Sequence, residues 1–228
     1  MSFIHLRTSS AFSLKYGTTQ PRDLVERAAQ FESPALALTD RDGLSGAIRF
    51  ASACLEFGIA PIIGVNLAID LLADPNIKIT PTKDLPRVTV LAHGDGGWRA
   101  LVRLLSGLNM NAADRIPILT LDLLQRFSQY STQLHLLHGP ESPVSQALTL
   151  HRSDIALEIF NKTRPLFGDH AIDCVSHLVA GKGPFSTAHA ARSLIFARDH
   201  DIDAVITNAL RMRDAADGPV ADILDCAR

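Results

Sequence analysis

The sequence has little of what marks several large protein classes. It holds three cysteines, Cys54, Cys174 and Cys226, spaced far apart and without a C-x-x-C pair. A zinc ribbon and a redox dithiol are thereby disfavoured, and sparse, unpatterned thiols fit a reducing cytosol. Charge is scarce as well: 20% of residues are charged and the net charge is −2. The chain as a whole is not a basic nucleic-acid binder, so any contact with DNA would need a local patch. No apolar run reaches membrane-spanning length. The opening MSFIHLRTSS is too polar for a signal peptide, and a cytoplasmic protein is expected. No G-x-x-x-x-G-K-[ST] loop is present, and GDGG at Gly94–Gly97 reads as a flexible turn between strand and helix. There is no repeat, low-complexity tract or linker, so residues 1–228 are expected to form a single domain.

What the chain does have is 46% hydrophobic residues in 228, enough for a sizeable core. Seven short runs read as strands: Phe3–Thr8, Ala35–Asp40, Pro61–Asp70, Arg87–His93, Leu134–Gly139, Ala171–Leu178 and Ala204–Leu210. Several are continuously apolar, as strands buried on both faces are. Between them lie helical patterns at 22–30, 43–57, 97–108, 121–129, 143–149, 154–167 and 187–199, with a last one at 214–228. Pro21 stands at a helix start and Gly58 at a helix stop. The stretch Leu71–Pro86 reads as a hairpin excursion or surface loop. Alternating strands and helices predict a parallel sheet with crossover helices, either an open doubly wound sheet or a closed barrel.

Two stretches resemble a known family. FIHLRTSSAFSLKYG at Phe3–Gly17 is similar to its H-x-H-S-x-F-S strand. PALALTDRDGLSGAIRFASACLEFGIAPIIGVN at Pro34–Asn66 is similar to P-A-L-A-L-T-D-H-G-N-L-x-G-A followed by G-I-x-P-I-I-G-x-E. Weaker likeness continues through VLAHGDGGWRALVRLLSGLN, LFGDHAIDCVSHL and AVITNALRMRDAADGPVADILDCAR. The pattern is that of the amino-terminal PHP (polymerase and histidinol phosphatase) domain of bacterial DNA polymerase III alpha subunits, with details leaning to the error-prone actinobacterial branch. The resemblance implies an α/β fold, a distorted (β/α)7 barrel of the metal-dependent-hydrolase kind. It also implies that the domain stops short of a full alpha subunit and lacks the polymerase palm.

Intact members of the wider superfamily bind metal at the mouth of the barrel with histidines and carboxylates, and metal-bound water attacks a phosphoester. Carried over one by one, those positions fall here on His5, Arg7, Ser9, Asp40, Arg41, Asn66, His177, Ala209 and Arg211. Asp40 and His177 keep the residue type, with His5 as a third candidate. A guanidinium cannot ligate a metal and repels a divalent ion. The site is therefore expected to hold no metal, no cofactor and no catalytic residue. Asp40 would be left buried, and a bidentate pair with Arg7 is expected to satisfy it. Arg7, Arg41, Arg211 and His177 could alternatively form an anion pocket, though isolated surface pairs are the plainer reading. His135 and His138 are expected on opposite faces of their strand, in core or loop roles.

The implied function is a structural and interaction module in DNA replication, repair or damage-tolerant synthesis. Its partners would be the rest of a polymerase alpha subunit or other replisome or repair proteins, with DNA met only indirectly and no membrane contact. Two alternatives stand beside it: residual metal-dependent phosphoesterase or 3′–5′ exonuclease activity, and a freestanding phosphate-binding regulator.

Overall fold

A computed structural model describes residues 3–70, 85–112 and 117–227. The stretch 71–84, most of the expected excursion, lies outside them. The chain forms two compact units: Met1–Asn66 with Thr207–Arg228, and Leu67–Ile206.

In the first unit the opening segment is extended but is not a regular strand. Ala37 N–H donates to His5 O and Thr39 N–H to Thr8 O, while Thr8 N–H turns to the Thr39 hydroxyl. On its other side Thr8 bridges Leu210. Helix α1 (Pro21–Gln30) starts on Pro21, whose missing N–H costs nothing at a first turn, and buries Leu24, Val25 and Ala28. Strand β1 (Ala35–Leu38) is buried at every residue. Helix α2 (Ala47–Phe57) ends on Gly58 in the left-handed region, φ 70°. It begins later than its apolar pattern suggests, because residues 41–46 form a loop with Asp42 at φ 60° and a bridge from Arg41 to Asn66. Strand β2 (Ala60–Asp70) pairs parallel with β1 through its first residues. Leu24, Val25, Leu36, Leu38, Phe50 and Cys54 form this unit's core.

The second unit carries the end of β2, β3 (Arg87–Ala92), α3 (Gly94–Asn111), β4 (Ile118–Thr120) and α4 (Leu121–Phe127), followed by a 3-10 turn at Ser128–Gln133. Next come β5 (Leu134–His138), α5 (Pro143–Thr149), α6 (Ser153–Thr163), β6 (Asp169–Cys174), α7 (Thr187–Asp199) and β7 (Ala204–Ile206). Ser142 and Ser186 cap α5 and α7, each hydroxyl accepting a backbone N–H of the first turn. Strands β2 and β4, β5 and β6, and β6 and β7 pair in parallel, but β3 and β5 run antiparallel. The α/β class with seven strands stands, while an all-parallel sheet does not. β4 is a strand that periodicity missed, and it takes the place of the opening segment in the count. GDGG is not a loose turn but the first turn of α3: a Cβ on Gly97 would sit 2.5 Å from Gln133 O. Among the described residues no helix is long and apolar enough to cross a membrane.

The last helix, α8 (Gly218–Cys226), returns to the first unit. A capping box between Asp214 and Asp217 starts the turn before it.

Candidate functional site

Asp40 is the centre of the first unit's polar interior, 2% exposed at the end of β1. Its Oδ1 accepts Ser10 N–H at 2.6 Å and the Ser13 hydroxyl at 2.8 Å. The Ser10 hydroxyl lies 3.0 Å from Oδ1 and 2.9 Å from Oδ2. Each hydroxyl also accepts a backbone N–H, Ser10 from Phe12 and Ser13 from Arg41. The two serines thus relay the carboxylate to the loop backbone on both sides. The approach is close. A Cβ on Gly46 would stand 2.8 Å from Asp40 Oδ2, and one on Gly17 would stand 2.0 Å from Ser10 O. Burial pushes the Asp40 carboxyl up from its ordinary value, against the serine hydrogen bonds that pull it down. The expected Arg7–Asp40 pair is replaced by this serine clasp. Arg7 itself is buried, and its backbone oxygen accepts Leu210 N–H.

The other two arginines gather on Tyr16. The Arg41 guanidinium lies 3.5 Å from the centre of the Tyr16 ring and that of Arg211 lies 5.2 Å from it. Arg211 also forms a two-pronged pair with Asp225 of α8, both contacts at 2.7 Å. Its fork is therefore filled by a carboxylate of its own chain, which speaks against the anion pocket.

The remaining positions scatter. Ser9 is buried and donates its N–H to Leu210 O. Asn66 is buried; its N–H donates to Asp40 O, and its backbone oxygen accepts Asp42 N–H. Ala209 is buried with φ 47°. His5 stacks edge-on with Phe3 and lines a cleft of about 470 Å³ with Leu24, Phe31, Leu210 and Met212, where burial lowers its pKa. His177 belongs to the second unit, exposed and stacked on Phe185 at 4.9 Å. His135 and His138 do face opposite ways. His135 reaches Asp169 at 3.4 Å, while His138 is buried against Phe160 and His170.

These residues do not fit the metal that the fold family implies. Arginine and alanine offer no lone pair, Asp40 Oδ1 already takes three donors, and His5 sits in a cleft that it shares with Arg27 and Arg213. Among the described residues no three His, Cys, Asp or Glu side chains come together in a metal-holding group. Sequence reasoning passed over Ser10, Ser13, Tyr16 and Asp225. Ser10 and Ser13 were visible within S-S-A-F-S, but nothing along the chain joins them to a carboxylate about thirty residues on.

An α/β fold whose polar centre lies where β1 ends defines a recognisable class. The chain belongs to the PHP domain family, which matches residues 5–177. Among its relatives, the error-prone DNA polymerase of Mycolicibacterium paratuberculosis is 35% identical over 149 residues, covering 64% of this chain and 13% of the relative. The DNA polymerase III subunit alpha of Buchnera aphidicola is 31% identical over 169 residues, covering 72% of this chain and 14% of the relative. The chain thus spans a small fraction of the length of these polymerases. In fold it is similar to an amidohydrolase from Chromobacterium violaceum, with a TM-score of 0.53 at 15% identity over 92% of this chain and 87% of the other. It is also similar to a two-domain protein from Bacteroides vulgatus described as containing a predicted PHP-like metal-dependent phosphoesterase, with a TM-score of 0.54 at 11% identity over 92% and 52%.

Proposed function

We propose that this PHP domain is a metal-free structural and interaction module of a DNA polymerase III alpha-like protein. It would act in the cytoplasm, in replication or damage-tolerant synthesis, with the rest of the polymerase or other replisome and repair proteins as partners. The nine positions from His5 to Arg211 are, in this reading, the remnant of a metal site in a domain of residues 1–228. The observation that carries it is the use now made of the arginines: Arg41 and Arg211 both lie over the Tyr16 ring, and Arg211 is tied to Asp225. The similarity to error-prone polymerases favours the damage-tolerant branch.

The test is bound metal in protein purified without chelator, and again after soaking in zinc and manganese. The expected result is metal far below one ion per chain and an unchanged melting temperature with either ion or with chelator. Near-stoichiometric metal whose removal lowers the melting temperature would overturn the reading and make phosphoesterase assays worthwhile.

A further inference from the structure

In the second unit a cleft of about 250 Å³ opens between α3 and the 3-10 turn that follows α4. Its walls include Arg99 and Arg103 from the helix and Gln129, Tyr130, Thr132 and Gln133 from the turn, and among the described residues no carboxylate lines it. Four residues apart, the arginines share one helix face with Cβ atoms about 5–6 Å apart. Both are exposed, and among the described residues neither has an ion-pair or hydrogen-bond partner. Elsewhere Arg22, Arg126, Arg152, Arg198, Arg211 and Arg213 each face a carboxylate. The pair in the cleft is positive charge left open.

The cleft is also shaped. The Arg103 guanidinium lies 4.6 Å from the centre of the Tyr130 ring, and Tyr130 is 37% exposed. The Gln133 side chain packs against Gly96 so closely that a Cβ there would meet its Oε1 at 1.5 Å. The turn is thereby seated on the start of the helix. Two guanidinium forks suit phosphate oxygens. An exposed aromatic ring beside neutral amides suits an unstacked base, which a duplex does not offer.

We propose that this cleft binds single-stranded nucleic acid, with Arg99 and Arg103 on successive phosphates and Tyr130 beside a base. It is the local patch that the near-neutral chain would need for direct contact, and it stands independently of the metal-free reading of the first unit.

The test is the fluorescence anisotropy of a labelled oligothymidylate titrated with the whole chain at low and moderate salt. Saturable binding is expected. The R99A/R103A double variant should weaken it about tenfold or more and flatten the log–log salt dependence by about 1.4, at roughly 0.7 per phosphate. Its melting temperature should not move, since both side chains are exposed. Y130A should weaken binding and Y130F retain it. Inorganic phosphate at constant ionic strength should fail to displace the oligonucleotide. Absence of saturable binding at low salt would overturn the proposal, as would wild-type affinity in the double variant. Displacement by millimolar phosphate would also overturn it, reducing the cleft to a site for a free oxyanion.

Discussion

Ser13 Oγ donates to Asp40 Oδ1 at 2.8 Å and accepts the Arg41 N–H at 2.9 Å, so one hydroxyl holds two consecutive residues of the loop after β1. Ser13→Ala would leave a buried acceptor and a backbone donor short of a partner, at a cost of about 1–3 kcal/mol. Asp40→Ala should cost at least as much, since two hydroxyls and an N–H lose their acceptor. Asp40→Asn, which keeps one oxygen on the serines, should cost less than either. Urea unfolding of the three variants gives the order, and an Asn variant as unstable as the Ala variant would contradict the clasp.

Gly46 tests the same clasp sterically. Its φ of −82° suits any residue, so Gly46→Ala brings no backbone strain. The added methyl meets Asp40 Oδ2 at 2.8 Å and a Phe12 ring carbon at 3.1 Å. Overpacking of this kind costs about 1–3 kcal/mol. Thermal melting of the variant should show the loss, and unchanged stability would mean that the carboxylate has room to move.

Two buried histidines predict sensitivity to acid. Burial lowers His138 to about 3, helped by neighbouring His170, and lowers His170 to about 4, with Asp169 and the Arg164 backbone pulling the other way. The unfolded chain therefore takes up protons at these sites that the folded chain refuses. Their stabilising contribution is full above about pH 6.5 and is lost as pH falls from there towards about 4 for His170 and about 3 for His138. Each tenfold difference in proton affinity between the folded and unfolded chain is worth about 1.4 kcal/mol. Asp40 works in the opposite sense, because its raised pKa favours folding as pH falls towards the ordinary carboxyl value. Unfolding free energies at pH 7.5, 6 and 5 should decline, and His170→Leu should flatten the decline.

Among the described residues helix α8 buries little of its surface. Ala221 is its one buried residue, and Val220 and Ile223 are exposed. Arg211–Asp225 is the two-pronged contact that ties it back to the polar centre. Asp225→Ala should speed amide exchange across α8 and leave exchange in β1 unchanged. Equal protection in both proteins would show that the capping box alone holds the helix.

Much of the fold was legible because apolar runs are local. α5 and α7 match their patterns residue for residue, and the stop at Gly58 was readable from one glycine. Strand direction was not legible, since β3 and β5 have the same apolar character whether they pair in parallel or antiparallel. β4, at three residues, is too short to show a period beside the helical pattern that follows it. The opening segment reads as a strand yet spends its hydrogen bonds partly on the Thr39 hydroxyl, a partner that no periodicity encodes. At the site, the loss of ligand types at Arg41, Ala209 and Arg211 was plain from the chain. The partners were not: Ser10 and Asp40 lie 30 positions apart and Arg211 and Asp225 lie 14 apart, and neither pairing follows a helical or strand repeat.

The first unit is assembled from segments far apart in the chain, and that has a consequence in time. Ser9 N–H meets Leu210 O at 2.8 Å, and Leu210 N–H meets Arg7 O at 3.0 Å. During synthesis the opening segment must wait for its second neighbour until Leu210 has emerged. At about 5–20 residues per second that wait is on the order of 10–40 s. Through that interval one edge of the segment lacks its neighbour, while the 67–206 unit, whose residues are contiguous, is complete in the chain before Leu210 is made.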